Sequence, residues 1–117
     1  MSTDRRILQG TTPILACHFK PEKLDVSNIA GIELAMAQEP KVPGRCGLLM
    51  VKKTSDCIID TEANTISYHF NQEETLNMVP KIPLQFQFRF HIGDEYVGTL
   101  PCSVEIVELL SHRVFEL

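Results

Sequence analysis

Large apolar and polar residues alternate without a break across 84–92. A period of two places alternate side chains on opposite faces of a β-strand. Leu84, Phe86, Phe88, Phe90 and Ile92 therefore share one face, and Gln85, Gln87, Arg89 and His91 share the other. That is the signature of a strand in an antiparallel sheet, packed on one side and wet on the other. Shorter stretches repeat it. Over 14–19, Leu15, Cys17 and Phe19 lie on one side; over 65–70, Ile66, Tyr68 and Phe70 point in while Thr65, Ser67 and His69 point out.

The remaining segments extend the β pattern. Residues 5–9 read as a short strand or extended arm, ended by Gly10-Thr11-Thr12-Pro13, because proline cannot donate to a ladder and drives the preceding residue toward extended geometry. A polar turn at 20–23 leads into an extended loop at 24–27. Over 29–37, Ile32, Leu34 and Met36 alternate with Glu33 and Ala35, which favours a strand, although the alanines and glutamate would also suit a helix. Two prolines and a glycine make 38–44 a long loop. Strands are expected at 47–53, 96–99 and 102–110, and 57–60 pairs with 65–70 as a hairpin across 61–64. One helical signal stands out near 71–78. Asn71 can cap, Glu74 follows at capping-box spacing, and Pro80 and Pro83 stop the helix within about two turns. A short helical turn between strands is a common crossover between sandwich sheets.

These elements predict a single all-β domain over 1–117: an immunoglobulin-like antiparallel β-sandwich of about seven to nine strands with one short helical turn, an N-terminal segment at 1–10 and a tail at 111–117. A small barrel or jelly roll is the alternative. There is no tryptophan, so the Cys–Trp–Cys core of antibody domains is absent and the likeness is architectural.

Composition narrows the function classes. The chain has 117 residues, 44% hydrophobic, with a formal net charge of −4, which suits one packed domain and argues against a nucleic-acid partner. No leader-like apolar run and no membrane-length apolar run is visible, so synthesis in the cytoplasm and no membrane partner are expected. Cys17, Cys46, Cys57 and Cys102 form no tight pair. They read as reduced structural thiols rather than zinc ligands, with Cys17 a small core hydrophobe.

Candidate chemistry is thin. His69 and His91 face outward on strands that could be neighbours, and a metal or acid–base pair there is weighed against ordinary surface histidines. Glu73 and Glu74 are adjacent and diverge by about 100° on a helix, so capping explains them better than paired catalysis. Asp56, Asp60 and Glu62 flank turns and read as turn chemistry. No phosphate-binding glycine loop, nucleophile elbow or HExxH motif occurs. The chain is therefore expected to be no enzyme and to use no cofactor and no metal. The polar face Gln85, Gln87, Arg89 and His91 reads as a protein-interface candidate. So do Pro40, Val42 and Pro43 in the long loop, and the apolar tail residues Val114, Phe115 and Leu117, since apolar tails usually pack on the domain or a neighbour.

Several of these pieces together resemble a group of small proteins of tailed phages and prophages of Firmicutes. The matching parts are Leu8-Gln9-Gly10-Thr11-Thr12-Pro13, Asn71-Gln72-Glu73-Glu74-Thr75-Leu76, Leu84-Gln85-Phe86-Gln87-Phe88-Arg89 and Ser103-Val104-Glu105-Ile106-Val107. The likeness spans most of the chain, which departs from the pattern in its longer 38–46 loop and its four cysteines. The resemblance implies a structural (virion) protein, made in the host bacterial cytoplasm and assembled on the particle as a head decoration or a tail or baseplate component. Its partners would then be other virion proteins and further copies of itself. The alternative is a carbohydrate- or ligand-binding β-sandwich module in host recognition, which the lack of tryptophan and the presence of only two tyrosines disfavour.

Overall fold

A computed structural model describes residues 6–38, 48–111 and 113–116, with residues 48 and 49 described by their backbone alone. The protein is an all-β sandwich. The strands are β1 (Arg6–Leu8), β2 (Ile14–His18), β3 (Gly31–Gln38), β4 (Leu48–Lys53), β5 (Ile58–Asp60), β6 (Thr65–His69), β7 (Leu84–Ile92), β8 (Glu95–Gly98) and β9 (Cys102–Val107). One sheet has the order β1-β9-β7-β3-β4, with β8 also paired to β7, and the other has the order β2-β6-β5. With β9, β7 and β3 in the places of G, F and C, and β2, β6 and β5 in those of B, E and D, this is the division of an immunoglobulin-like sandwich, its larger sheet extended by β4 at one edge and β1 at the other. All pairings are antiparallel except β1 with β9, which run parallel with Ile7 opposite Ile106.

The alternation of β7 is borne out. Leu84, Phe86, Phe88 and Phe90 are buried, and Ile92 is half-buried where the strand leaves the core. Each such side chain contributes about 1.5–3 kcal/mol by leaving water. From the opposite sheet, Leu15, Cys17, Ile66, Tyr68 and Phe70 meet them. Phe19 stands edge-on to Phe88 and Phe90 at 6.0 and 5.8 Å, the T-shaped geometry that ring quadrupoles favour.

The crossover between sheets is the expected one. Helix α1 (Gln72–Leu76) joins β6 of the small sheet to β7 of the large one. Its capping box is complete: Glu74 N–H donates to Asn71 Oδ1 at 2.8 Å, and Asn71 N–H donates to Glu74 Oε1 at 2.9 Å.

Some boundaries differ from the pattern-based expectation. The last strand ends at Val107 rather than at 110, because Leu109 N–H leaves the ladder and donates to Gln9 Oε1 at 2.9 Å. The loop expected over 24–27 contains a 3-10 turn at Val26–Asn28, capped by Asp25. Gln38, assigned above to the long loop, instead closes β3 with its side chain buried.

Buried polar residues follow one rule. Among the described residues Gln9, Gln38, Asn64 and Thr75 are the buried polar side chains, and each bonds to main chain of a connecting segment. Gln9 Nε2 donates to Met78 O at 2.6 Å. Gln38 Nε2 donates to Val79 O and Ile82 O at 2.7 and 2.8 Å, and its Oε1 accepts from Val79 N–H at 2.8 Å. Asn64 Nδ2 donates to Phe19 O and Leu24 O at 2.6 and 2.8 Å, and its Oδ1 accepts from Val26 N–H at 2.9 Å. Each amide thus satisfies backbone groups that would otherwise be buried unpaired.

Candidate interaction surface

The outward face of the large sheet is built from the polar half of the β7 alternation and its cross-strand neighbours. Gln85 lies opposite Ala37 and Ser103, Gln87 opposite Ala35, Arg89 opposite Glu33 and Gly98, and His91 opposite Gly31 and Tyr96. Beyond β3, Val51 and Lys53 continue the rows from Ala35 and Glu33. The four interface candidates on β7 therefore do share one surface. Gly31, Ala35, Ala37, Gly98 and Ser103 around them are small, which keeps its relief low.

Three contacts fix the side chains of this face. Arg89 Nη2 meets Glu33 Oε2 at 2.8 Å. Gln87 Nε2 donates to Thr99 O at 2.7 Å. The His91 and Tyr96 rings stack at 4.7 Å with 19° between their planes. The Arg89–Glu33 pair is substantially exposed, and such pairs contribute little to stability; here it presents two opposite charges held in place. Beside it, Gly31, Glu33, Arg89, His91 and Tyr96 line a shallow cup of about 280 Å3. Exposed apolar residues flank the face: Tyr96, on β8 opposite His91, is 75% exposed, and Leu100, in the link from β8 to β9, is 84% exposed.

The tail forms a second patch. β9 ends beside the start of β7, with Lys81 N–H donating to Ile106 O at 3.3 Å. The residues after it therefore lie at the opposite end of the sheet from His91 and Tyr96. Their main chain is held against the domain: Phe115 N–H donates to Gln72 Oε1 at 2.7 Å, and Gln72 Nε2 donates to Phe115 O at 3.5 Å. The side chains stay out, with Leu110 95% and Phe115 71% exposed and Val114 exposed as well. A cavity of about 790 Å3 opens between this segment and Gly10 and Thr11. Pro40, Val42, Pro43 and Leu117 lie outside the described residues.

The histidine pair is corrected. His69 is on β6 and faces outward from the small sheet, whereas His91 faces outward from the large one, so the sandwich separates them. His69 Nε2 is instead 3.1 Å from Thr12 O. Among the described residues no three His, Cys, Asp or Glu side chains converge as metal ligands, and no helix is long and apolar enough to cross a membrane. Asp60 accepts from Glu62 and Ala63 N–H and Asp56 from Lys53 N–H, as turn residues do.

One ionisable cluster was not foreseen. Lys52 is on β4 but points inward, opposite Leu34. Its Nζ lies 2.8 Å from Glu74 Oε2, which also accepts from the Tyr68 hydroxyl at 2.5 Å. Burial, then the bond to Glu74, pushes Tyr68 up to about 12. Burial pulls Glu74 upward, but bonds from Lys52, Tyr68 and the Asn71 N–H outweigh it and hold the carboxyl below its ordinary range. Lys52 is held charged, chiefly by Glu74. A lysine locked as an ammonium is no nucleophile; the cluster fastens β4 to α1 and β6. An inward charge in the sheet's terminal strand also discourages a mispaired register. Its sequence signal was the polar Lys52 at an inward parity of 48–53.

Compared with known proteins, the chain matches no family model and no curated sequence.

Proposed function

We propose that this chain is a non-enzymatic structural protein of a phage particle that assembles through protein–protein contacts of its large sheet. The observation that carries the contact surface is the low-relief outward face of β7 and β3. Small residues there surround the amides of Gln85 and Gln87 and the Arg89–Glu33 pair, and exposed Tyr96 and Leu100 lie along its border. Flat faces with fixed polar groups and aromatic edges suit repeated docking, in which many modest contacts act together. The particle itself is supported by the motif resemblance carried by 8–13, 71–76, 84–89 and 103–107. Particles induced from a strain carrying the gene, purified on gradients and quantified by mass spectrometry, test the reading. A copy number near that of the major capsid protein means head decoration. A few to a few dozen copies mean a connector, tail or baseplate part, and absence from the particle rejects the proposal.

A second reading has one observation behind it. The cup beside Gly31 places an exposed tyrosine and a histidine next to an arginine and a glutamate, a combination that can stack on a sugar ring and bond to its hydroxyls. Binding on a glycan array that Tyr96→Ala abolishes would favour this ligand-binding module; a blank array disposes of it.

A further inference from the structure

The inward residues of β2 can be placed against the large sheet one by one. Leu15 and Val104 line the same small cavity of about 60 Å3. Phe19 packs edge-on against Phe88 at 6.0 Å. Within the large sheet, Leu84 pairs with Val104 and Phe86 with Cys102. Moving along β2 from Leu15 toward Phe19 thus means moving along β9 from Val104 toward Cys102 and along β7 from Leu84 toward Phe88. Cys17, midway between Leu15 and Phe19, falls at the level of Cys102. Both side chains face the space between the sheets: Cys17 is 0% exposed, and Cys102 is partly buried against the same core. Burial pushes the Cys17 thiol up to about 12, and the next largest cause is the Cys102 sulfur, an electrostatic influence that fits close neighbours.

We infer that Cys17 and Cys102 join as an inter-sheet disulfide when the protein meets a small-molecule disulfide outside a reducing cytoplasm. The order of steps follows from access. Cys102, within reach of solvent, loses its proton, and its thiolate attacks one sulfur of oxidised glutathione. That sulfur–sulfur bond breaks, leaving a Cys102–glutathione mixed disulfide and one glutathione thiolate. Cys17 then loses its proton to water, and its thiolate attacks Cys102 Sγ. The bond to glutathione breaks and the second glutathione thiolate leaves. Two protein thiols are oxidised, one small disulfide is reduced to two thiols, and the released protons end on the departing thiolates. Because burial keeps Cys17 protonated at neutral pH, the second step is slow and quickens as pH rises. The bond would tie β2 to β9 and constrain the long chain segment between them in the unfolded state. The inference does not depend on the particle reading.

The test is incubation of the folded wild-type protein with oxidised glutathione at mildly alkaline pH. It is followed by intact-mass measurement and non-reducing peptide mapping. The expected result is a linked pair of peptides containing Cys17 and Cys102, a loss of two hydrogens in mass, and a rise in Tm of about 10 °C or more. Cys102→Ser should fold and show none of the three. A Cys102–glutathione adduct that never resolves overturns the inference. So does a Cys17 that is still alkylated as a thiol after unfolding, or a bridge that instead uses Cys57.

Discussion

Asn64 offers the sharpest quantitative test of how this sandwich is held together. It is buried, sits at the end of the β5–β6 turn with φ +52, and carries three hydrogen bonds to the segment between β2 and β3. Asn64→Ala removes all three partners at once. At about 1 kcal/mol for each backbone group left without its bond, the loss is about 3 kcal/mol. Alanine in the left-handed region adds about 1–2 kcal/mol of strain. Asn64→Gly removes the same bonds without the strain but enlarges the unfolded ensemble at a cost of about 0.4–1 kcal/mol. The expected order of stability is wild type, then Gly, then Ala, with Gly about 3–4 kcal/mol and Ala about 4–5 kcal/mol below wild type. Near 4 °C per kcal/mol at this chain length, Tm falls by about 12–20 °C. Urea unfolding with unchanged m-values gives the free energies directly. An Asn64→Gly protein within about 1 kcal/mol of wild type would show that the three bonds are replaced by water at no cost, and the argument from buried amides would fail.

Four further outcomes follow from the same structure. Tyr68 has a folded pKa raised to about 12, so its contribution is fully present below its unfolded value near 10 and is lost as pH rises from about 10 to 12; Tyr68→Phe should flatten that alkaline limb by about 1–2 kcal/mol in pH-dependent urea melts. Glu74 is shifted the other way, so its contribution is present above its ordinary value near 4.3 and is lost as pH falls through its lower folded value; Glu74→Gln should blunt that acid limb. Gly10 has φ +74, and an added Cβ would stand 2.6 Å from Leu109 Cδ2; Gly10→Ala should lower stability by about 1–2 kcal/mol and speed hydrogen exchange at the Leu109 amide. Ala35→Arg, on the outward face between Gln87 and Val51, should leave Tm nearly unchanged while preventing incorporation into particles; normal incorporation would remove that face from the proposed contact surface.

What the sequence could and could not disclose divides along a physical line. Strand faces were legible because β geometry is strictly periodic. Phe86, Phe88 and Phe90 announce a core by spacing alone, and the same spacing sends Gln85, Gln87, Arg89 and His91 to the opposite side. The capping box at Asn71 and Glu74 was legible for a similar reason, since both of its bonds join residues three apart. Neighbourhood across strands was not. That His69 and His91 face away from each other depends on which sheet each strand joins, and adjacency in space between sheets leaves no local mark in the chain. The buried amides show the same limit. Asn64 reaches Phe19, 45 positions away, and Gln9 reaches Leu109, 100 positions away. In the sequence they are ordinary polar residues at strand ends; an asparagine closing a turn hints at positive φ but not at the carbonyls it satisfies. Lys52 is the instructive intermediate case. Its inward parity was readable and ran against its charge, and a charge placed where a core residue belongs implies a buried partner. The partner, Glu74, had already been assigned a sufficient local role as a cap. One carboxylate serves both, its Oε1 closing the cap and its Oε2 taking Lys52 and Tyr68. A complete local explanation can therefore conceal a long-range one, and a polar residue at a core position should be followed to a partner even among residues whose roles are already explained.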